Sequence, residues 1–424
     1  MERFHVIKAK DLRGEACELK FEGERIVTEF SSTDKVTVID AGGSTLIPGL
    51  VDLHTHLREP GREDAETVLT GSLAAVAGGF TAISAMPNTA PVADTAGVVE
   101  QVFRLGQSHG LCDVFPIGAV TEGQAGTTLA EIAAMHASEA RVRIFSDDGH
   151  CVADPLVMRR ALEYVKNFDG VIAQHAQDPR LTNGAQMNEG LVSSVIGLKG
   201  WPAVAEESII ARDVLLAEHV NSRVHICHVS TAGSVEIIRW AKARGIRVTA
   251  EVTPHHLLLT DELARGFNPI YKVNPPLRTE KDVVALREGV ADGTIDIIAT
   301  DHAPHPAESK ECEWSAASFG MTGLETALSV SYQALVATKT TSFEKLISLM
   351  SSNPAAIGKY EGHGSLKAGS YANFALVDLD AEWTVEPTAM RSKSKNTPFA
   401  NYVLPVKVNQ TYFKGNRVFS GGVK

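Results

Sequence analysis

Between about residues 50 and 300, short and nearly unbroken apolar runs alternate with longer stretches in which apolar residues return every three or four positions. The first pattern suits a strand covered on both faces and the second a helix packed on one side, so their alternation predicts strand, helix, strand units with parallel pairing. Eight runs qualify, at 49–54, 80–86, 113–120, 142–146, 170–175, 223–228, 247–252 and 294–300. Helices are expected at 65–77, 155–166, 206–220, 232–244, 280–290 and 323–337. Eight such units predict an α/β fold of the (β/α)8 TIM-barrel type, with its chemistry at the carboxyl ends of the strands.

The two ends of the chain carry a different rhythm. Residues 1–48 and 365–424 alternate apolar and polar side chains and are punctuated by glycine, as in KVTVIDAGGSTLIPG and SLKAGSYANFALVDL. That pattern predicts short antiparallel strands, and together the termini would build a small β-sandwich subdomain beside a barrel of residues 49–364.

Composition narrows the class. The 424 residues are 44% hydrophobic, enough for a large core, and no apolar run is long enough for a membrane span or a leader. A formal net charge of −11 without a Lys/Arg cluster argues against nucleic-acid binding. The five cysteines are odd in number, scattered and without CxxC spacing, so reduced and mostly buried thiols in a cytoplasmic protein are expected rather than a disulfide framework.

The chemistry lies where the strands end. His and Asp residues gather in LVDLHTHLREPG, FSDDGH, IAQHAQD, HICHVS and IATDHAPH, each closing an apolar run. His54 and His56 are two apart, so on a strand both imidazoles share one face and can grip one metal ion. An isolated HxH pair is also common in ordinary strands; its place at the end of the first run makes it informative. His175 and His228 each close a run, with Val171/Ala173 and Val224/Ile226 as the companions expected on the same face. A single one would read as a satisfied core histidine, but two at equivalent strand ends do not. Asp301 ends IDIIATD, where a buried carboxylate needs a compensating cation or donor, and a metal ion would serve. Asp148 shares the parity of Val142 and Ile144, whereas Asp147 points the other way, and the DDG triplet could also be a simple turn. Converging, these residues form an imidazole and carboxylate set without thiolate, which suits Zn2+, with manganese or cobalt as substitutes. A bridging carboxylate allows two ions.

These motifs resemble the amidohydrolase superfamily over most of the chain, from LIPGLVDLHTHLREPG through AMPNT, FSDDG, QHA, CHVST, VTPHH, VNPPLR and ATDHAPH to FGMTGLET and GSLKAGSYANFALVD. LHTHLREPG, VNPPLR and ATDHAPH resemble most closely the long, Bacillus-type class of dihydroorotases. The resemblance implies that His54 and His56 bind one metal, His175 and His228 a second, and that Asp301 ligates the first while acting as general base. Many superfamily members bridge the two ions with a carbamylated lysine; here the position is DDG, which implies Asp148 as the bridge, ahead of Asp147. It also implies that Arg58, Asn88 and His305 receive the ring carboxylate of dihydroorotate, that Asn274 contacts the ring, and that the 319–323 loop closes the pocket. His255 and His256 are expected to support the ligands from behind or to be structural, and His150, Cys151, His225 and His302 are set aside, since alternation turns His225 away from His228. The implied activity is reversible ring closure of carbamoyl-aspartate. Its rivals are another cyclic amidohydrolase, such as an allantoinase or hydantoinase, and a catalytically silent subunit supporting aspartate transcarbamoylase. Implied partners are the small-molecule substrate, a second copy of the chain in a homodimer, and aspartate transcarbamoylase.

Overall fold

The computed structural model describes residues 2–32 and 35–421. The expected apolar runs become the strands Leu50–Thr55, Phe80–Ala85, Asp113–Pro116, Ile144–Phe145, Val171–Gln174, Arg223–Ile226, Val248–Val252 and Ile297–Ile298, and the fold is mixed α/β. The first three pair in parallel as one sheet and the other five as a second. Single parallel bridges, Gly118 to Phe145 and Thr55 to His302, span the two breaks between them. Most of these strands stop short of the apolar run that announced them. The chain leaves the ladder early at its carboxyl ends, and two residues there, His228 (φ 32°) and Asp301 (φ 47°), take the left-handed backbone that ends strand pairing.

Between the strands lie the helices Val68–Ala77, Ala96–His109, Pro155–Val165, Val204–Val220, Ala232–Ala243 and Glu280–Asp292. Local chemistry fixes several starts. Asp154 accepts from the Leu156 and Val157 amides with Pro155 at the first helical position, and Thr231 accepts from the Ser234 amide. The helix expected from 65 starts only at Val68, because Thr67 caps it and Glu66 turns inward instead. The one expected over 323–337 is a short helix Ala327–Ser331 followed by a wider turn, Tyr332–Val336, and Gly323 stays outside it because its amide is bonded to His302 Nδ1.

One set of buried side chains, including Met158, Ile210 and Ile238, fills the space between strands and helices. A second, with Val51, Leu53, Ile117, Ile144, Val171, Ala173, Cys227, Ile297 and Ala299, lies on the other face of the strands. Strand parity is therefore visible, and it corrects one expectation. Val224 and Ile226 belong to the helix-side set while Cys227 belongs to the opposite one, so they do not share a face with His228.

The two chain ends meet in a single eight-stranded sheet, in the order Asn416–Ser420, Val403–Phe413, Phe374–Thr384, Thr45–Pro48, Arg3–Lys10, Ala16–Glu22, Arg25–Val27, with Val36–Asp40 paired to the side of Arg3–Lys10. Its pairing is not all antiparallel as expected: Arg3–Lys10 runs parallel to Val36–Asp40 and to Thr45, because the intervening hairpin returns the chain to the side from which it set out. The cysteines are free, but only Cys112 and Cys227 are buried, so the expectation of mostly buried thiols does not hold. Among the described residues no helix is long and apolar enough to cross a membrane.

Candidate metal centre

The first strand delivers its histidines through an irregularity. Alternation puts Val51 and Leu53 on the inner face, which would leave His54 outside; the register slips between Asp52 and Thr55 against the neighbouring strand, and the slip carries His54 and His56 inward. His175 follows Val171 and Ala173 in simple parity, as does Asp301 after Ile297 and Ala299. His228 arrives through its left-handed backbone, directly after the inward Cys227.

These side chains meet. Asp148 Oδ1 lies 3.2 Å from His175 Nδ1, 3.2 Å from His228 Nε2 and 3.4 Å from His54 Nε2, while its Oδ2 lies 3.3 Å from His56 Nε2. Asp301 Oδ1 lies 3.0 Å from His56 Nε2 and 3.4 Å from His54 Nε2. Asp148 therefore belongs to two groups at once, one with His54 and His56 and one with His175 and His228. Asp147 is turned away: it accepts from the Val120 and Thr121 amides at 2.8 and 3.0 Å and anchors the loop after the third strand.

A divalent ion fits these residues. Tetrahedral ligands held 2.0–2.1 Å from zinc sit about 3.3 Å from one another, the spacing seen around Asp148. His54 Nε2 is buried without a hydrogen-bond partner, an arrangement that costs free energy unless something else occupies the position. The fields agree. Burial alone would lower the pKa of His54, yet Asp148, Glu251 and Asp301 raise it well above the usual imidazole value; His54 in turn helps hold Asp148 far below the carboxylate range and Asp301 down to about 2. Both acids are ionised, as ligands must be.

The orienting contacts come from residues that the sequence did not single out. Glu251 Oε1 sits 2.5 Å from His54 Nδ1 and accepts from the His228 amide at 3.1 Å, and its Oε2 meets His225 Nε2 at 3.0 Å. It thus fixes which ring nitrogen His54 turns to the centre, the usual job of an outer carboxylate. His225, expected to point away, faces this same side. Gln177 Oε1 does the equivalent for His175 at 2.6 Å. The signal for Glu251 was present, since an acid inside IRVTAEV is as anomalous as Asp301 in its own strand. Cys227 lies beside His54 and Glu251, but burial pushes its thiol up and keeps it protonated, so this third grouping is no thiolate site. His256 is satisfied by Thr253 and the Pro275 carbonyl. His255 is buried with Nε2 unpartnered, and burial takes it down to about 4.

Beside the metal groups lies a buried cationic corner. Arg58 is 9% exposed, burial brings its guanidinium down to about 10, and among the described residues it has no carboxylate within ion-pair reach. Its Nε donates to the Pro304 carbonyl at 3.2 Å, and its Nη2 lies 3.4 Å from His305 Nε2, which itself faces the Phe319 carbonyl at 2.8 Å. A buried cation with unspent donors is costly unless an anion joins it. Asn88 accepts from His56 Nδ1 at 2.8 Å through Oδ1, which leaves its amide to donate elsewhere. Asn274 donates to Gln177 at 3.1 Å and keeps a buried, unpartnered Oδ1.

Comparison with known proteins adds the family. A family profile described as Dihydro-orotase-like matches residues 43–234. The chain is 63% identical to the dihydroorotase of Streptomyces coelicolor over 98% of its own length and 97% of the relative's, and 53% identical to that of Mycobacterium leprae over 95% and 94%. Among solved structures, the L-hydantoinase (dihydropyrimidinase) from Arthrobacter aurescens superposes with a TM-score of 0.87 at 25% identity, over 100% of this chain and 97% of that one. The dihydropyrimidinase from Brevibacillus agri, at 19% identity, shares the fold with a TM-score of 0.82.

Proposed function

The chain belongs to the dihydroorotase family, and from that premise we propose how its residues divide the work. The activity is that of a hydrolase on cyclic amides: reversible closure of N-carbamoyl-L-aspartate to L-dihydroorotate and water, a step of pyrimidine synthesis. The observation that carries the assignment of roles is the shared Asp148, flanked by two imidazole pairs and set beside a buried guanidinium that, among the described residues, has no carboxylate within ion-pair reach.

In this reading His54 and His56, with Asp301, would hold one Zn2+, His175 and His228 would hold a second, and Asp148 would serve both groups. Such an ion supplies Lewis acidity and a water that is deprotonated at about pH 7. Arg58 and His305, joined by the Asn88 amide, clamp the ring carboxylate, since a planar guanidinium can meet both of its oxygens. Asn274 points a free carbonyl at the ring. Asp301, ionised at rest, takes the proton of the attacking water and passes it to the ring nitrogen as the amide bond breaks; in closure the protonated Asp301 donates as water leaves. The alternatives are weaker. A hydantoinase or allantoinase has no use for the buried, unpaired donors of Arg58, and a silent subunit has no need of a complete ligand set.

We also read the eight strands as one closed barrel over 49–364, a reading supported by the two bridges that span the breaks, with 1–48 and 365–424 as a β-subdomain. A cytoplasmic homodimer able to associate with aspartate transcarbamoylase completes the proposal, and sedimentation with and without that enzyme tests it.

The central experiment follows dihydroorotate by absorbance in both directions, beside allantoin, hydantoin and dihydrouracil, with metal measured per chain. Dihydroorotate is expected to be the preferred substrate, with up to two zinc ions bound. Asp301→Asn should cut turnover about 1,000-fold or more in both directions. Appreciable residual turnover, or a metal-free active enzyme, would refute the assignment.

A further inference from the structure

The connection between Phe374–Thr384 and Val403–Phe413 does not stay with the terminal sheet. Its segment RSKSKNTP, residues 391–398, crosses to the carboxyl ends of the strands. There the Ser392 hydroxyl and the Lys393 amide meet Glu66, and the Ser394 hydroxyl donates to the Ala65 carbonyl at 2.6 Å. The segment is therefore strapped to the loop that follows Arg58.

Asn396 binds the opposite wall. Its Oδ1 accepts from the His305 amide at 3.1 Å, and its Nδ2 donates to the Ala303 carbonyl at 3.0 Å and the Gly320 carbonyl at 3.2 Å. Its own carbonyl accepts from the Thr322 amide at 3.1 Å. One buried side chain thus joins 303–305 to 320–322. Those two segments have little ladder of their own there, only the bridge from His302 to Met321 and the Ala303 amide on the Met321 carbonyl. They are also closely apposed: Gly320 has φ +142°, and a Cβ on it would stand 2.7 Å from His305 Nε2. His305 and Asn396 both line a cavity of about 670 Å3 that opens beside the site.

We infer that Asn396 is a positioning residue for the carboxylate corner: by fixing Ala303, His305 and Gly320 to one amide, it sets where the His305 ring stands relative to Arg58. The inference rests on the reading that Arg58 and His305 receive the substrate carboxylate. A group that acts only through His305 affects how the anion is held and leaves the metal groups and Asp301 alone.

The test is steady-state kinetics of the zinc-loaded enzyme with dihydroorotate and carbamoyl-aspartate. Asn396→Ala should raise KM about tenfold in both directions while kcat changes less than about threefold and metal content stays at the wild-type value. In a His305→Ala background, which raises KM by itself, the same change should add less than about twofold, because its route is already cut. Asn396→Asp retains an acceptor for the His305 amide but turns a carboxylate oxygen toward the Ala303 and Gly320 carbonyls; it should raise KM more than Asn396→Ala, and it serves if the alanine variant does not fold. An unchanged KM in Asn396→Ala, a full additive effect in the double variant, or a loss in kcat instead of KM overturns the inference. If His305→Ala itself leaves KM unchanged, the carboxylate reading has failed and takes this inference with it. If only Asn396→Ala is silent, that reading stands and the inference alone falls.

Discussion

Two histidine–aspartate groups lie at opposite ends of the strand set, one buried at the carboxyl ends and one part-buried at the amino ends, and they are built on opposite principles. At the amino ends, His363 Nε2 donates to Asp113 Oδ2 at 2.9 Å, its Nδ1 faces Asn373 Nδ2 at 3.2 Å and Thr81 Oγ1 at 3.4 Å, and Lys414 covers Asp113 Oδ1 at 3.0 Å. Every polar atom has its own partner, and one proton on one ring suffices. At the carboxyl ends, three imidazole nitrogens face a single oxygen of Asp148, His54 Nε2 among them without a hydrogen bond, and among the described residues Arg58 has no carboxylate within ion-pair reach. Residue type is alike in the two places and the histidines are buried in both, although the Asp113 side chain is 26% exposed against 4% for Asp148. The distinguishing feature is satisfaction: a closed hydrogen-bond account marks structure, and an open one marks a site waiting for a cation and an anion.

The sharpest way to break the comparison is to remove His363. His363→Ala should cost about 2 kcal/mol of stability in denaturant unfolding, because the buried ring leaves a void and the part-buried Asp113 loses one of its two partners, yet zinc content and kcat per folded molecule should hold. Loss of metal in that variant would mean that the two ends are not independent. Next in size is Glu251→Gln, which keeps the shape of the side chain but loses the charge beside His54. Zinc affinity, measured by competition with a chelator, should fall about 10- to 100-fold with little change in the apo-protein melting temperature. An unchanged affinity would make Glu251 a structural partner like Asp113. The smallest effect concerns pH. Burial would raise Asp113, but His363 and Lys414 outweigh it and hold the carboxyl below its usual value. A depressed folded pKa gives stability that is present above the unfolded value of about 3.9 and lost as the pH falls through the folded one. Asp113→Asn should therefore flatten the acid limb of the melting temperature below about pH 4, and an unchanged limb would count against this pairing.

Much of this was legible along the chain, and the misses share a cause. His175 and Asp301 follow plain alternation from Val171 and Ile297, so a period of two places them correctly. His54 and His228 do not: a register slip and a left-handed residue bring them inward, and neither leaves a mark in hydrophobic periodicity. The same blind spot turned His225 outward when its ring in fact meets Glu251. Asp148 was separable from Asp147 by parity, and the structure gives Asp147 the turn and Asp148 the company of the histidines.

By itself, then, the sequence determined the local things: which runs are strands, which residues close them, and that imidazoles and carboxylates are collected at one end. Tertiary structure alone decided who is paired with whom. Glu251 meets His54 across 197 positions, Asn396 reaches His305 across 91, and Lys414 finds Asp113 across 301. Periodicity reports a side chain's direction relative to its neighbours in the chain. Whether a buried polar atom is satisfied depends on what other segments bring within about 3 Å of it, and that is a property of packing.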